Sequence, residues 1–288
     1  MEEQPSESSV SSGSLVFLVV AACLAAVSAV THSKIHTVSY LAHHGSVLFG
    51  GIAIVSILPR WFYAMFFELF ALIAVFFIGL FQIRRWVEPL VGGKGTPILL
   101  IHGFCNDAGV WFYIRKKLVQ IYSGPIYAIS LKSAFRPLEE HAQKIQRRVT
   151  EILKESGSSD IILIGHSMGG LVASLYAMEY AAPSTVKAII TIASPFHGTY
   201  MASIIPAHNA RQMRYQSPFC KNLSKKLEES SIPIYQMSTL TDEIIIPSNS
   251  CLLKLNPERQ YTVKDIGHAA MLFSPRVATQ VCNWIRAL

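Results

Sequence analysis

Hydrophobic and polar positions follow two different rhythms along this chain. Up to about residue 90, apolar residues come in long runs with almost no charge: Leu15–Val30, Leu41–Leu58 and Trp61–Ile83. From Pro97 onward the runs shorten and alternate with stretches of helical period. Pro97–Gly103, Ile126–Leu131, Ile161–Ile164, Val186–Ala193, Ile232–Met237 and Tyr261–Val263 read as strands. Short, fully apolar runs bounded by Gly, Pro or polar residues are the pattern of strands buried on both faces. Between them, Ala108–Tyr122, Pro137–Glu155, an amphipathic run after Gly170, and Pro275–Arg286 read as helices. Pro137–Glu155 places Leu138, Ala142, Ile145, Val149, Ile152 and Leu153 on one face, has two acids in its first turn and stops before Gly157. The alternation implies an α/β fold, a mostly parallel sheet of about six strands with helices on both faces. Residues 196–231 interrupt it. They read either as a lid over a site or as a surface excursion with a short helix at Asn222–Glu229.

The first region reads as membrane-associated. Residues 1–14 are polar, acidic and Ser-rich, the composition of a disordered segment. They lack the basic start of a secretory signal. Residues 15–88 then hold two or three transmembrane helices. Trp61–Ile83 is the strongest, with aromatics at its start and Trp86 beyond its end. It carries one acid, Glu68, read either as a functional intramembrane acid, paired with a histidine, or as a carboxyl kept neutral or facing another helix. With three spans, Lys34, Arg84, Arg85 and Lys94 share one side against Arg60 on the other, which places residues 92–288 on the cytoplasmic face. Val91–Pro97, rich in glycine, joins the two regions.

Composition narrows the partners. The net charge of +7 comes from scattered basic residues without grouped aromatic platforms. That excludes nucleic acid as the expected partner and favours an anionic bilayer surface. Five cysteines without metal-type spacing give no disulfide framework. One Cys220–Cys251 bridge is the alternative to free thiols.

The chemistry centres on Gly165-His166-Ser167-Met168-Gly169-Gly170. A buried strand runs into it and a helix leaves it. The pattern G-x-S-x-G between strand and helix is a nucleophile elbow, in which the serine sits on a strained turn and projects its hydroxyl. Glycines two before and two after remove Cβ atoms that would collide with neighbouring chain. A serine hydroxyl needs a base. Of the ten histidines, four precede the domain. His102 and His166 sit at strand ends where structural roles are expected, His141 lies on the long helix as a solvated or face residue, and His197 and His208 lie in the excursion. His268 follows a late strand, in a loop after Gly267, and is the expected base. The acid must follow a strand between Ser167 and His268, and Asp242 does so, just after the strand ending near Met237. Glu243 and Asp265 are alternatives. The oxyanion donors are expected to be the backbone N–H groups of Met168 and Phe104.

Five motifs together resemble the α/β-hydrolase superfamily, and more closely its bacterial lipase and esterase branch. They are Ile101-His102-Gly103-Phe104, the elbow, Ser194-Pro195-Phe196-His197-Gly198-Thr199, Thr241-Asp242-Glu243-Ile244-Ile245-Ile246-Pro247, and Gly267-His268. The resemblance covers residues 95–288. It implies cleavage of carboxylic esters of lipids through an acyl-enzyme, with no cofactor. Some related lipases hold calcium near the histidine. Here Ala269 and Ala270 follow His268, so no metal is expected. The alternatives are acyl transfer or thioester hydrolysis on the same residues, or an inactive membrane interaction protein on the same fold.

Overall fold

A computed structural model describes residues 62–75, 93–131 and 135–288. The segments 1–14, Leu15–Val30 and Leu41–Leu58 lie outside the described residues, and only part of Trp61–Ile83 lies within them. That part is a helix, 62–75, here α1. Among the described residues no helix is long and apolar enough to cross a membrane.

The six expected strands all form. They are β1 (Ile98–Ile101), β2 (Ile126–Ile129), β3 (Ile161–His166), β4 (Val186–Ile192), β5 (Ile234–Thr239) and β6 (Gln260–Val263). They make one sheet in the order β2-β1-β3-β4-β5-β6, and every neighbouring pair is parallel. Successive side chains of a strand point to opposite faces. In β1, Leu99 and Ile101 enter one core, while Ile98 and Leu100 enter the other. Apolar residues are therefore needed at consecutive positions, which is why these strands read as unbroken runs.

The helices are α2 (Phe112–Leu118), α3 (Leu138–Ser156), α4 (Met168–Glu179), α5 (His208–Gln212), α6 (Pro218–Glu228) and α7 (Pro275–Ala287). The first core lies under α3, α4 and α6, and the second under α2 and α7. The stretch expected as one helix over Ala108–Tyr122 is a 3-10 turn, Ala108–Trp111, followed by α2. The amphipathic expectation fails for α4. Met168 to Ala177 are all buried, because α4 is enclosed by the sheet on one side and by α3 and α6 on the other.

The excursion 196–231 is not one cover. Helix α6 sends Leu223 and Leu227 into the core beneath it, so this part belongs to the scaffold. It starts at Pro218, earlier than the expected Asn222, with the Ser217 hydroxyl accepting from the N–H of Cys220 as its cap. The exposed large apolar side chains of the excursion are Tyr200 and Ile204.

The described part of the Trp61–Ile83 segment lies against this domain. Ala64, Glu68 and Ala71, spaced by four and three residues, form its buried stripe. Ala71 joins the core under α2 and α7. Phe62, Tyr63, Phe66, Phe67, Leu69, Phe70 and Ile73 stay exposed.

Candidate active site

Parallel strands bring their carboxyl ends to one edge. The register aligns Ile101 with Gly165, His166 with Ile192, and Ile192 with Met237. The loops after β1, β3, β4, β5 and β6 therefore gather there. The sheet order reverses direction between β1 and β3, and the crevice at such a switch point is where ligands bind in open α/β sheets.

Ser167 stands at that crevice, between β3 and α4. Its φ of 55° and ψ of −126° lie in a region that side chains rarely adopt. Its N–H donates to Ile192 O at 2.8 Å and its carbonyl accepts from Gly170 N–H at 3.1 Å. The flanking glycines are required by close approach. A Cβ on Gly165 would stand 2.4 Å from Gly170 N, and one on Gly169 2.2 Å from Ile101 O. Across the crevice, a Cβ on Gly103 would come within 2.9 Å of Ser167 Cβ. The His102-Gly103-Phe104 turn is thus pressed onto the elbow. Met168 opens α4, so its N–H belongs to the first turn, where amides have no partner within the helix. Both expected oxyanion donors lie on chain segments that flank Ser167.

His268 and Asp242 are brought together from loops 26 positions apart. His268 Nδ1 lies 2.9 Å from Asp242 Oδ2. The other Asp242 oxygen accepts from Ile244 N–H at 3.0 Å and Ile245 N–H at 2.7 Å, which fixes the carboxylate. Both side chains are buried, Asp242 entirely. Burial pushes the His268 imidazole toward the neutral form. The charge and hydrogen bond of Asp242, with the charge of Glu68, outweigh this and leave its pKa raised. The alternatives for the acid are placed elsewhere. Glu243 accepts the His268 backbone N–H, with both oxygens at 3.3 Å, and Asp265 pairs with Arg276 on the surface.

His102, His166 and His197 are held by hydrogen bonds to the backbone. His102 Nδ1 donates to Gly103 O at 2.7 Å and its Nε2 accepts from Leu131 N–H at 2.7 Å, so the ring is neutral. Burial drives its pKa down to about 4. His166 Nε2 donates to His268 O at 3.2 Å, and the two rings lie 4.8 Å apart. Burial, then the facing His268, holds His166 well below the ordinary histidine range. His197 Nε2 donates to Leu252 O at 3.1 Å. His141, read as a solvated or face residue, is on the packed face, buried at 2% exposure, since its turn of α3 faces the domain.

Sequence reasoning missed three roles. The Thr199 hydroxyl donates to Ile244 O at 2.6 Å and accepts from Ile246 N–H at 3.0 Å. It ties the loop after β4 to the loop that carries Asp242. Glu243 holds the backbone of His268 itself. Glu68 accepts from Ala269 N–H at 2.8 Å and Ala270 N–H at 2.9 Å. An acid inside an apolar run was the one visible signal of the last. The four described cysteines, Cys105, Cys220, Cys251 and Cys282, are free thiols. Among the described residues no group of His, Cys, Asp and Glu is arranged to hold a metal ion.

Residues 96–217 match the model of the α/β hydrolase fold family. Over 105 residues the chain is 30% identical to the human protein named 1-acylglycerol-3-phosphate O-acyltransferase ABHD5, covering 34% of this chain and 29% of that one. Over 118 residues it is 29% identical to the triacylglycerol lipase of Pseudarthrobacter phenanthrenivorans, covering 38% and 36%. These matches span about a third of the relatives' own lengths. Among solved structures, mature Bacillus licheniformis lipase BlEst2 superposes with a TM-score of 0.57 at 12% identity, covering 68% of this chain and 96% of that one. Aspergillus fumigatus lipase B gives 0.56 at 19% identity, covering 66% and 52%. With six parallel strands, a serine on the strained turn after β3 and a matched α/β hydrolase fold model around it, this chain has an α/β-hydrolase fold.

Proposed function

We propose that the protein is a membrane-anchored serine hydrolase that cleaves carboxylic esters of lipids through an acyl-enzyme. The observation that carries this reading is the buried Asp242–His268 pair, 2.9 Å apart, on the same sheet edge as the Ser167 elbow. Ser167 Oγ attacks the ester carbonyl while His268 Nε2 takes its proton. Asp242 keeps the Nδ1 proton in place and stabilises the imidazolium. The amides of Met168 and Phe104 hold the oxyanion. His268 then protonates the leaving alcohol, and a water activated by the same imidazole releases the acid. No step calls for a metal or cofactor. Phe104, whose ring meets Phe135 edge-on with centroids 5.8 Å apart, supplies apolar wall beside the elbow for an acyl chain.

Membrane anchoring rests on the apolar runs Leu15–Val30 and Leu41–Leu58 and on the aromatic outer face of α1. With Leu15–Val30 and Leu41–Leu58 as spans, Arg60, Arg84, Arg85 and Lys94 lie on the domain side against Lys34 on the other, which favours the cytoplasmic face for the catalytic domain. Acyl transfer to an acceptor alcohol is the second reading, favoured by the acyltransferase name carried by a relative.

The test is hydrolysis of short- and long-chain p-nitrophenyl esters by the detergent-purified protein and its Ser167→Ala variant. Long-chain turnover that depends on Ser167 is expected. Equal rates for the two proteins would remove the catalytic assignment. Flotation of the intact chain with lipid vesicles under alkaline carbonate tests anchoring, and recovery in the soluble fraction would exclude it.

A further inference from the structure

The loop that carries His268 presents three consecutive amide N–H groups to buried carboxyls. His268 N–H points to Glu243, and Ala269 and Ala270 N–H point to Glu68. A buried amide left without a partner costs free energy, so the conformation of residues 267–270 depends on both acids. Glu68 comes from α1, 201 positions before Ala269. Its carboxylate oxygens take one amide each, at 2.8 and 2.9 Å, and the side chain is 1% exposed. The approach is close enough to need a glycine. A Cβ on Gly267 would stand 2.4 Å from Glu68 Oε2 and 2.9 Å from Glu68 Cβ. The neighbouring α1 positions that turn inward, Ala64 and Ala71, are small and let the helix backbone come near.

Burial, and then the charge of Glu68, push the Glu243 carboxyl well above its ordinary range. Asp242 faces His268 at Nδ1, Glu243 and Glu68 face its backbone, and the neutral His166 ring faces it from the strand side.

We infer that Glu68 is a positioning residue for His268, which makes α1 of the apolar N-terminal region a structural part of the active site. Glu68 does not touch substrate. It fixes the loop that carries the base, through the amides of Ala269 and Ala270. This rests on the serine-hydrolase reading above.

The test is inactivation of the full chain by an alkyl fluorophosphonate. The Ser167 oxygen bonds to phosphorus, fluoride leaves, and His268 accepts the proton. Rates are measured per titrated active site across pH, so that an unfolded fraction does not count. For Glu68→Gln we expect a rate lowered about 10- to 100-fold, as for loss of geometry at a catalytic base. In the Glu68→Gln/Glu243→Gln double variant only the charge of Asp242 still faces His268, and the acid limb of the profile is expected to move to lower pH. A wild-type chain that the probe does not label would refute the serine-hydrolase reading itself. A labelled wild type with Glu68→Gln at the same rate per site, or a double variant with an unmoved acid limb, would overturn the role of Glu68 and leave that reading intact.

Discussion

Substituting Gly165 by alanine places a methyl group where the backbone of α4 already runs. The added Cβ would lie 2.4 Å from Gly170 N, 2.5 Å from Gly170 Cα and 2.6 Å from Gly169 C. Ordinary carbon contacts are about 3.5 Å or more, so roughly 1 Å of movement is needed. None of these atoms belongs to a flexible side chain, and α4 is buried along almost its whole length. The turn at Ser167 must open instead. The expected stability cost is about 1–3 kcal/mol. A displacement of about 1 Å at the nucleophile is expected to lower reactivity about 100-fold. Gly157→Ala is the contrast. Gly157 has φ of 67°, and a Cβ added there would meet nothing within 4 Å, so only left-handed strain remains, about 1–2 kcal/mol. The two variants thus lose similar stability by urea titration and differ in the rate of fluorophosphonate labelling per folded molecule. A Gly165→Ala protein that labels at the wild-type rate would refute the account of the elbow, and so would a Gly157→Ala protein that loses as much reactivity.

Asp242→Asn keeps an oxygen for the Ile244 and Ile245 amides but turns an NH2 toward His268 Nδ1, which moves the imidazole proton to Nε2. A loss of about 10³- to 10⁴-fold in kcat with little change in urea midpoint is expected, and steady-state ester hydrolysis measures it. The kcat/KM profile is expected to fall on the acid side with a midpoint above the ordinary histidine value of 6.5, because Asp242 and Glu68 raise the His268 pKa against the effect of burial; a midpoint below 6.5 would contradict the geometry. The same raised pKa gives stability that is fully present below pH 6.5 and is lost as pH rises through the folded value. Glu243 holds a proton in the folded state that the unfolded chain releases, so wild-type stability falls as pH rises above the ordinary 4.5, by up to about 1.4 kcal/mol per pH unit until the folded carboxyl ionises. Urea titrations of wild type against Glu243→Gln across pH isolate that slope, and parallel curves would exclude a protonated Glu243.

Much of this protein is written locally. Six strands appear where unbroken apolar runs end in Gly, Pro or polar residues, because burial on both sheet faces demands apolar residues at every position. The elbow is legible for a related reason. Gly165 and Gly169 are dictated by backbone contacts within a few residues of Ser167 or with the adjacent β1, and such constraints leave a short motif. The choice of Asp242 over Glu243 was not local. Adjacent acids differ only in which way each side chain leaves the loop, and the packing of the loop after β6 against the loop after β5 sets that: Asp242 meets Nδ1 of His268 and Glu243 meets its N–H. The amphipathic reading of α4 failed because a helix covered on two sides has no solvent face for a period to mark. The place of Glu68 was the least legible. An acid in an apolar run has the same pattern whether it faces lipid, a neighbouring helix or a buried loop. Its partners, the amides of Ala269 and Ala270, leave no trace in a side-chain sequence, since every residue but proline carries the same N–H. Only the docking of α1 against the loop after β6 decided that this carboxylate stands behind the histidine.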